Sequence, residues 1–252
     1  MKRTTVLFFF CVLLTVNGLA QMSNCEVCSE RLLTEEDVEG KSLEELSLLR
    51  NEIYARKGYT FQNARYDWYF SDQDWYSSAQ LNSKVKLSDI EAKNVEFLKK
   101  REQEIQRIRD LALADLKEIK RALNDNDQNI IDKYLTGLKI EEQRYKQSFS
   151  VDFFSDLKSI INRLDLNDIH WNRGRGLYAV QIDNGYSISR YSIEIEDDVI
   201  RIGMSDPMSH SENFGDFGDG YSDYMSESES SMYFVFEMTD TGIVYQNLII
   251  AG

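Results

Sequence analysis

With 43 acidic against 29 basic residues, the 252-residue chain carries a formal charge of −14. Such a surface repels nucleic acid and anionic membrane, which excludes both as default partners. The apolar fraction is that of an ordinary globular protein, and the length allows one or two cores.

Residues 1–20 read as a signal peptide. Lys2 and Arg3 supply a positive start, residues 6–16 an apolar run too short to span a bilayer comfortably, and Gly18 and Ala20 the small residues before a cut ahead of Gln21. A retained anchor is the alternative, while Met22-Ser23-Asn24 before Cys25 fits a lipobox poorly. The expected mature chain is secreted or periplasmic, has no integral membrane anchor, and is more acidic still.

Cleavage removes Cys11 and leaves Cys25 and Cys28 as C-E-V-C within the segment 21–32. An oxidising compartment favours a local disulfide. A redox pair would follow a strand, and nothing strand-like precedes this one. A zinc half-site would need two more ligands, and His170 and His210 have no spacing that recommends them. The pair is expected to be structural, closed or unpaired, ahead of a redox or metal role.

Ser42-Leu43-Glu44-Glu45 has the S-x-x-E form of a capping box, and Leu43, Leu46, Leu49 and Ile53 follow at helical spacing. Gly58 ends that helix, since glycine enters the left-handed conformation without steric cost. From Arg50 to Tyr76 the chain gathers aromatic residues densely. Ser88-Asp89-Ile90-Glu91 is a second capping box, and the helical period runs on through Ile105, Ile108, Ala112, Leu116, Ile119 and Leu123, as one long helix or two end to end. Residues 124–127 are the break, because their short polar side chains compete for backbone hydrogen bonds. Neither Gly nor Pro occurs between Gly58 and Gly137, so a junction between modules there is expected to be helical.

A short helix through Ile130, Ile131, Tyr134 and Leu135 follows, then another over residues 152–164. After Gly176 the period becomes two. Tyr178, Val180 and Ile182 alternate, Asp183-Asn184-Gly185 turns the chain, and Tyr186 and Ile188 return. Tyr191, Ile193 and Ile195 pair across residues 196–198 with Ile200, Ile202 and Met204, and residues 232–238 pair with 243–250. The fold class is α+β, with a small helical module over 33–100 joined by a long helix to a domain over 101–252 of helices packed on a curved antiparallel sheet. Residues 205–231 read as an acidic loop. Within it Asp216, Asp219 and Asp223 lie near glycines, but their spacing does not match a calcium-binding loop. A solvated acidic loop is the expected reading, with calcium the minor alternative and no cofactor otherwise implied.

The stretch Arg50-Asn51-Glu52-Ile53-Tyr54-Ala55-Arg56-Lys57-Gly58-Tyr59-Thr60-Phe61, with Tyr69-Phe70, Trp75-Tyr76 and the helix carrying Asn94, resembles the YARHG family of bacterial exported proteins over residues 33–100. The departure is Lys57, where the family usually has His, which removes the imidazole that a protonation or metal-ligand role would need. The resemblance implies an extracellular protein associated with the cell wall and brings no established activity. The helices and sheet after Arg101 are similar only in outline to the cone-shaped nuclear transport factor and ketosteroid isomerase architecture, and architecture alone does not imply function.

The aromatic residues admit two readings. A small module short of aliphatic residues can use rings as its core, and flat rings can also stack on sugars. Trp68, Trp75 and Tyr76, beside several aspartates, are the expected exposed set. Arg50 and Arg56 could grip a carboxylate bidentately or tie their helix to a neighbouring acid, and Asn51 and Asn94 read as buried ties. No G-x-S-x-G, H-E-x-x-H or separated Cys/His arrangement is present, and no carboxylate pair stands out. The expected protein is a non-catalytic exported envelope protein that binds cell-wall glycan or peptide or an envelope protein. The alternative is a small-molecule or lipid binder with a pocket in the C-terminal domain.

Overall fold

The computed structural model describes residues 25–78, 81–185, 187–210 and 225–251. The expected signal peptide, Tyr186 and the three weighed calcium ligands Asp216, Asp219 and Asp223 lie outside the described residues. The architecture is α+β, as the two periodicities imply.

A 3₁₀ turn at Glu26–Ser29 precedes α1 (Glu35–Val38), α2 (Leu43–Ala55) and α3 (Ala64–Ser71). Then come α4 (Asp89–Asp125), α5 (Gln128–Tyr145) and α6 (Phe153–Arg163). Both capping boxes form: Ser42 and Glu45 exchange bonds of 3.3 and 2.8 Å, and so do Ser88 and Glu91. The choice between one helix and two is resolved as one. α4 runs 37 residues, about 55 Å at 1.5 Å per residue, and passes residues 100 and 101 without interruption. Its first turns bury Leu98 against α2 and Asn94 against the N-terminal segment, and its later turns bury Ala112, Leu116, Ile119 and Leu123 in the core of the sheet domain. Asn126 closes it in the left-handed conformation at φ 55°. α5 is longer than the short helix expected, because a kink at Leu135 interrupts the period that marks its end.

Six strands form one antiparallel meander in chain order: β1 (His170–Asn172), β2 (Arg175–Asp183), β3 (Ser187–Glu196), β4 (Val199–His210), β5 (Met225–Thr239) and β6 (Gly242–Ala251). On the helix-facing side Ile193 pairs with Ile202 and Ile195 with Ile200, and these in turn meet Phe234 and Phe236. Period-two alternation delivers this apolar sheet face. It packs on Phe153, Leu157, Ile160 and Ile161 of α6 and on α4 and α5, which fills the space between helices and sheet.

Three differences from the sequence reading have physical causes. β1 is three residues long, too short to show an alternation. β3 is continuous although Ile188 and Tyr191 are out of phase: its pairing with β2 is unbroken there, and the irregularity opposite Ile188 and Arg190 places the extra residue in β4, so backbone pairing carries the strand across the change of face. The expected loop 205–231 is shortened from both ends: β4 continues to His210 and β5 begins at Met225, with Asp206 opposite Ser230 and His210 opposite Met225. The sequence there is rich in Ser, Asp and Glu, so no apolar period announces the strands.

Candidate functional site

The end of α2 sets the geometry of the N-terminal module. Tyr59 N–H donates to the Tyr54 carbonyl at 3.1 Å and Gly58 N–H to the Ala55 carbonyl at 2.8 Å, with Gly58 at φ 77°. This is a Schellman closure, and its customary apolar contact is the edge-to-face pair of Tyr54 and Tyr59, 5.8 Å apart. Tyr-Ala-Arg-Lys-Gly-Tyr is therefore a helix stop whose spacing the closure dictates.

The chain then doubles back so that Phe61 stacks on Phe70 of α3 at 5.0 Å. Asn63 caps α3 through Arg65 N–H at 2.9 Å. Tyr66 and Phe70, one turn apart, face inward: the Tyr66 hydroxyl lies 2.5 Å from Ser47 Oγ, and Phe70 is fully buried. The Tyr76 hydroxyl donates to the Tyr59 carbonyl at 2.8 Å. Burial raises the Tyr76 pKa, with Asp67 adding to it, so this donor keeps its proton.

Polar ties hold the module from the other side. Cys25 and Cys28 form a disulfide with both residues buried. Cys25 N–H donates to Glu52 Oε1 at 2.9 Å, and Arg56 Nε donates to the same oxygen at 2.8 Å. Asn94 Nδ2 donates to the carbonyls of Cys28 and Arg31 at 2.9 and 2.8 Å, while its Oδ1 accepts Leu33 N–H at 2.8 Å. Asn51 Nδ2 donates to the Ser47 carbonyl. Arg50 meets Glu102 of α4 bidentately at 2.6 and 3.2 Å. Lys57, where the resembled family has His, sits 2.9 Å from the buried Glu91. Burial pushes the Glu91 carboxyl up, but the Ser88 N–H, the Lys57 ammonium and the Ser29 hydroxyl outweigh it and hold its pKa below the ordinary value.

The residues singled out from sequence fall in three places. Trp68 stands alone and 76% exposed, because it lies about 200° around α3 from Tyr66. Trp75 and Arg56 are together, the guanidinium 4.5 Å from the ring centroid. Arg50 lies at a cleft of about 430 Å³ whose walls are Asn51, Tyr54, Tyr59, Phe61, Gln62, Asn63 and Tyr66. Rings and amide or guanidinium groups share that one hollow. The sequence reading missed Gln62, Asn63 and Tyr66 as its walls; Asn63 was legible as a helix cap, but its side of the cleft was not. Glu102, fifty-two residues from Arg50, carried no linear signal.

In the sheet domain Asp115 accepts the Tyr134 hydroxyl at 2.7 Å and the Ile243 N–H at 3.0 Å, which ties α4 to α5 and β6. Burial, then Glu118 and Asp115, raise the Tyr134 pKa and keep it a donor. Among the described residues no group of three or more His, Cys, Asp or Glu is placed to hold a metal ion.

These features define a helical module with an aromatic cleft, continued by a helix into a sheet domain. Residues 23–103 match the YARHG domain family. The match begins ten residues before the resemblance over 33–100, and its limits enclose both Cys25, bonded to Glu52, and Glu102, bonded to Arg50. No curated protein and no solved structure matches the chain, and the cone-shaped analogy gains no support. YARHG domains are typical of exported proteins, in keeping with an extracellular or periplasmic location. No helix among the described residues is long and apolar enough to cross a membrane.

Proposed function

We propose that this chain is a non-catalytic exported protein of the cell envelope whose YARHG module binds cell-wall glycan or its attached peptide. The observation that carries the reading is the cleft beside Arg50, where Tyr54, Tyr59 and Tyr66 stand next to Asn51, Gln62 and Asn63. Ring faces stack on the apolar face of a sugar, and amides exchange hydrogen bonds with its hydroxyls. Glu102 occupies the Arg50 guanidinium, so a peptide carboxylate would compete for it rather than find it free. Phe153, Leu157, Ile160, Phe234 and Phe236 fill the helix–sheet interface, so the alternative small-molecule or lipid reading would rest on the hollow of about 540 Å³ beside α5 and α6, whose lining is mostly charged and polar and suits a lipid poorly.

The test is co-sedimentation of the mature protein with purified, protein-free peptidoglycan. Retention is expected, with a several-fold loss in the doubly substituted Gln62→Ala, Asn63→Gly protein, whose exposed side chains leave the core intact. A wild-type protein that stays in the supernatant overturns the reading. A crosslinking pull-down from intact cells separates glycan from an envelope protein as the partner.

A further inference from the structure

We propose a second, separate binding site, in the crevice where the two modules meet, for a small zwitterion with an apolar side chain: an amino acid or the end of a short peptide. Its floor is Ile105 and Ile108, where α4 passes from one module to the other, with Met238 of β5. Its rim comes from three connections: the loop before α2, the tip of the β1–β2 hairpin and the β3–β4 turn. The volume is about 310 Å³. That is within the range of small-molecule sites, which favour junctions between domains.

Two of the lining residues, Gly174 and Arg109, are fixed by partners outside the hollow. Gly174 N–H at the hairpin tip donates to Glu44 Oε2 of α2 at 3.2 Å. The buried Arg109 lies 3.6 Å from Glu44 Oε1 and stacks over Trp171 of β1 at 3.8 Å from the ring centroid. The hairpin is thereby held against the N-terminal module without use of the rim charges.

Six charged residues line the crevice, three of each sign; Glu44 engages Arg109 and Ser42 engages Glu45, which leaves two of each sign. Lys41 and Arg173 line the crevice together with Asp197 and Asp198, and none of these four side chains has an ion pair or hydrogen bond among the described residues. Cations and acids around one hollow, not neutralising each other, suit a ligand that carries both signs. A carboxylate would meet Lys41 and Arg173, an ammonium would meet Asp197 and Asp198, and an apolar side chain would cover the isoleucines.

Backbone geometry points to the same crevice. Of the three described non-glycine residues at positive φ, Asn126 caps a helix, whereas Arg173 (48°) and Asp197 (54°) both stand on this rim. Arg173 and Gly174 form a two-residue hairpin turn, a position where Asn or Gly is the unstrained choice. Keeping a long cationic side chain in a disfavoured conformation is the signature of a group retained for what it contacts.

The experiment is calorimetric titration of the full mature chain with leucine, with the dipeptide Ala-Leu, and with N-acetyl-leucinamide, which keeps the apolar group and removes both charges. Saturable binding of leucine or of Ala-Leu is expected, and whichever is tighter distinguishes a free amino acid from a peptide end. The blocked compound should bind at least about tenfold more weakly, the scale of one lost charge-assisted bond. Lys41→Gln and Asp198→Asn should each cost about tenfold on the same grounds. Arg173→Gly provides the sharper control: it relieves the strained turn and should raise Tm while weakening binding. Three results overturn the proposal: no saturable binding at millimolar ligand, equal affinity for the blocked compound, or an Arg173→Gly protein that binds as well as wild type.

Discussion

The two ends of α4 are embedded in cores of different kinds. Around its first turns the YARHG module divides its apolar residues between two small clusters and buries Asn51, Glu52, Glu91 and Asn94 beside them, each hydrogen-bonded. Around its last turns one continuous cluster joins three helices to the sheet, with Leu, Ile and Phe as its main substance. A buried amide that bonds three backbone groups can be replaced by nothing else of the same size. An isoleucine in a large core can exchange with leucine or methionine at a cost below about 1.5 kcal/mol. The first kind of core writes a fixed motif into the sequence and the second writes only a period. Residues 23–103, which match the YARHG domain family, hold the core of the first kind.

The largest test of this contrast is the pair Phe70→Ala and Leu157→Ala, one fully buried residue from each core. Truncation of a buried aromatic or leucine costs about 2–5 kcal/mol in either place. The small module has less to lose, so Phe70→Ala should unfold it in urea while the sheet persists. Trp68 and Trp75 fluorescence should change at lower urea than the far-ultraviolet dichroism of the sheet. Coincident transitions in both variants would show that the shared helix makes one cooperative unit of the two cores.

A smaller effect probes the buried charge. Lys57→Met leaves the Glu91 carboxylate, 1% exposed, without its cation, at a cost of about 3 kcal/mol near neutral pH. Because the folded-state pKa of Glu91 lies below its unfolded value, its stabilisation is complete above about pH 4.3 and is lost as pH falls through the depressed folded value. The gap between wild type and Lys57→Met in denaturant titrations should therefore close in acid. A gap that is the same at pH 3 and pH 7 would mean that Lys57 acts by packing alone.

Legibility followed the same division. Both capping boxes, the stop at Gly58 and the alternation of Ile193, Ile195, Ile200 and Ile202 are local patterns, and each appears in the structure where the sequence has it. The partners of Arg50, Glu52 and Asn94 are contributed by segments 27 to 66 residues away, and no spacing rule reaches so far. The far ends of β4 and β5 were hidden because the sequence of residues 205–210 and 225–231 carries no apolar alternation. The cleft beside Arg50 was half visible: its rings were counted as core, and its amides were not seen to face the same hollow.

The two glycines that matter most divide along the same line. In the sheet Gly203 needs space, not conformation: a Cβ there would lie 2.2 Å from the Met232 carbonyl oxygen and 2.3 Å from the Tyr233 ring. Gly203→Ala should cost about 1–3 kcal/mol through displaced backbone, with a broad loss of amide protection across β4 and β5 in hydrogen exchange. In the YARHG module Gly58 needs conformation, since its φ of 77° is what turns Tyr59 back onto Tyr54. Gly58→Ala should cost about 1 kcal/mol, the left-handed penalty of an L-residue, and Gly58→Asn less, because asparagine tolerates that region. The ranking of Gly, Asn and Ala by Tm is the discriminating result. If Asn and Ala were equally harmful, Gly58 would be limited by space as Gly203 is, and the helix stop would owe its form to packing rather than to the backbone closure.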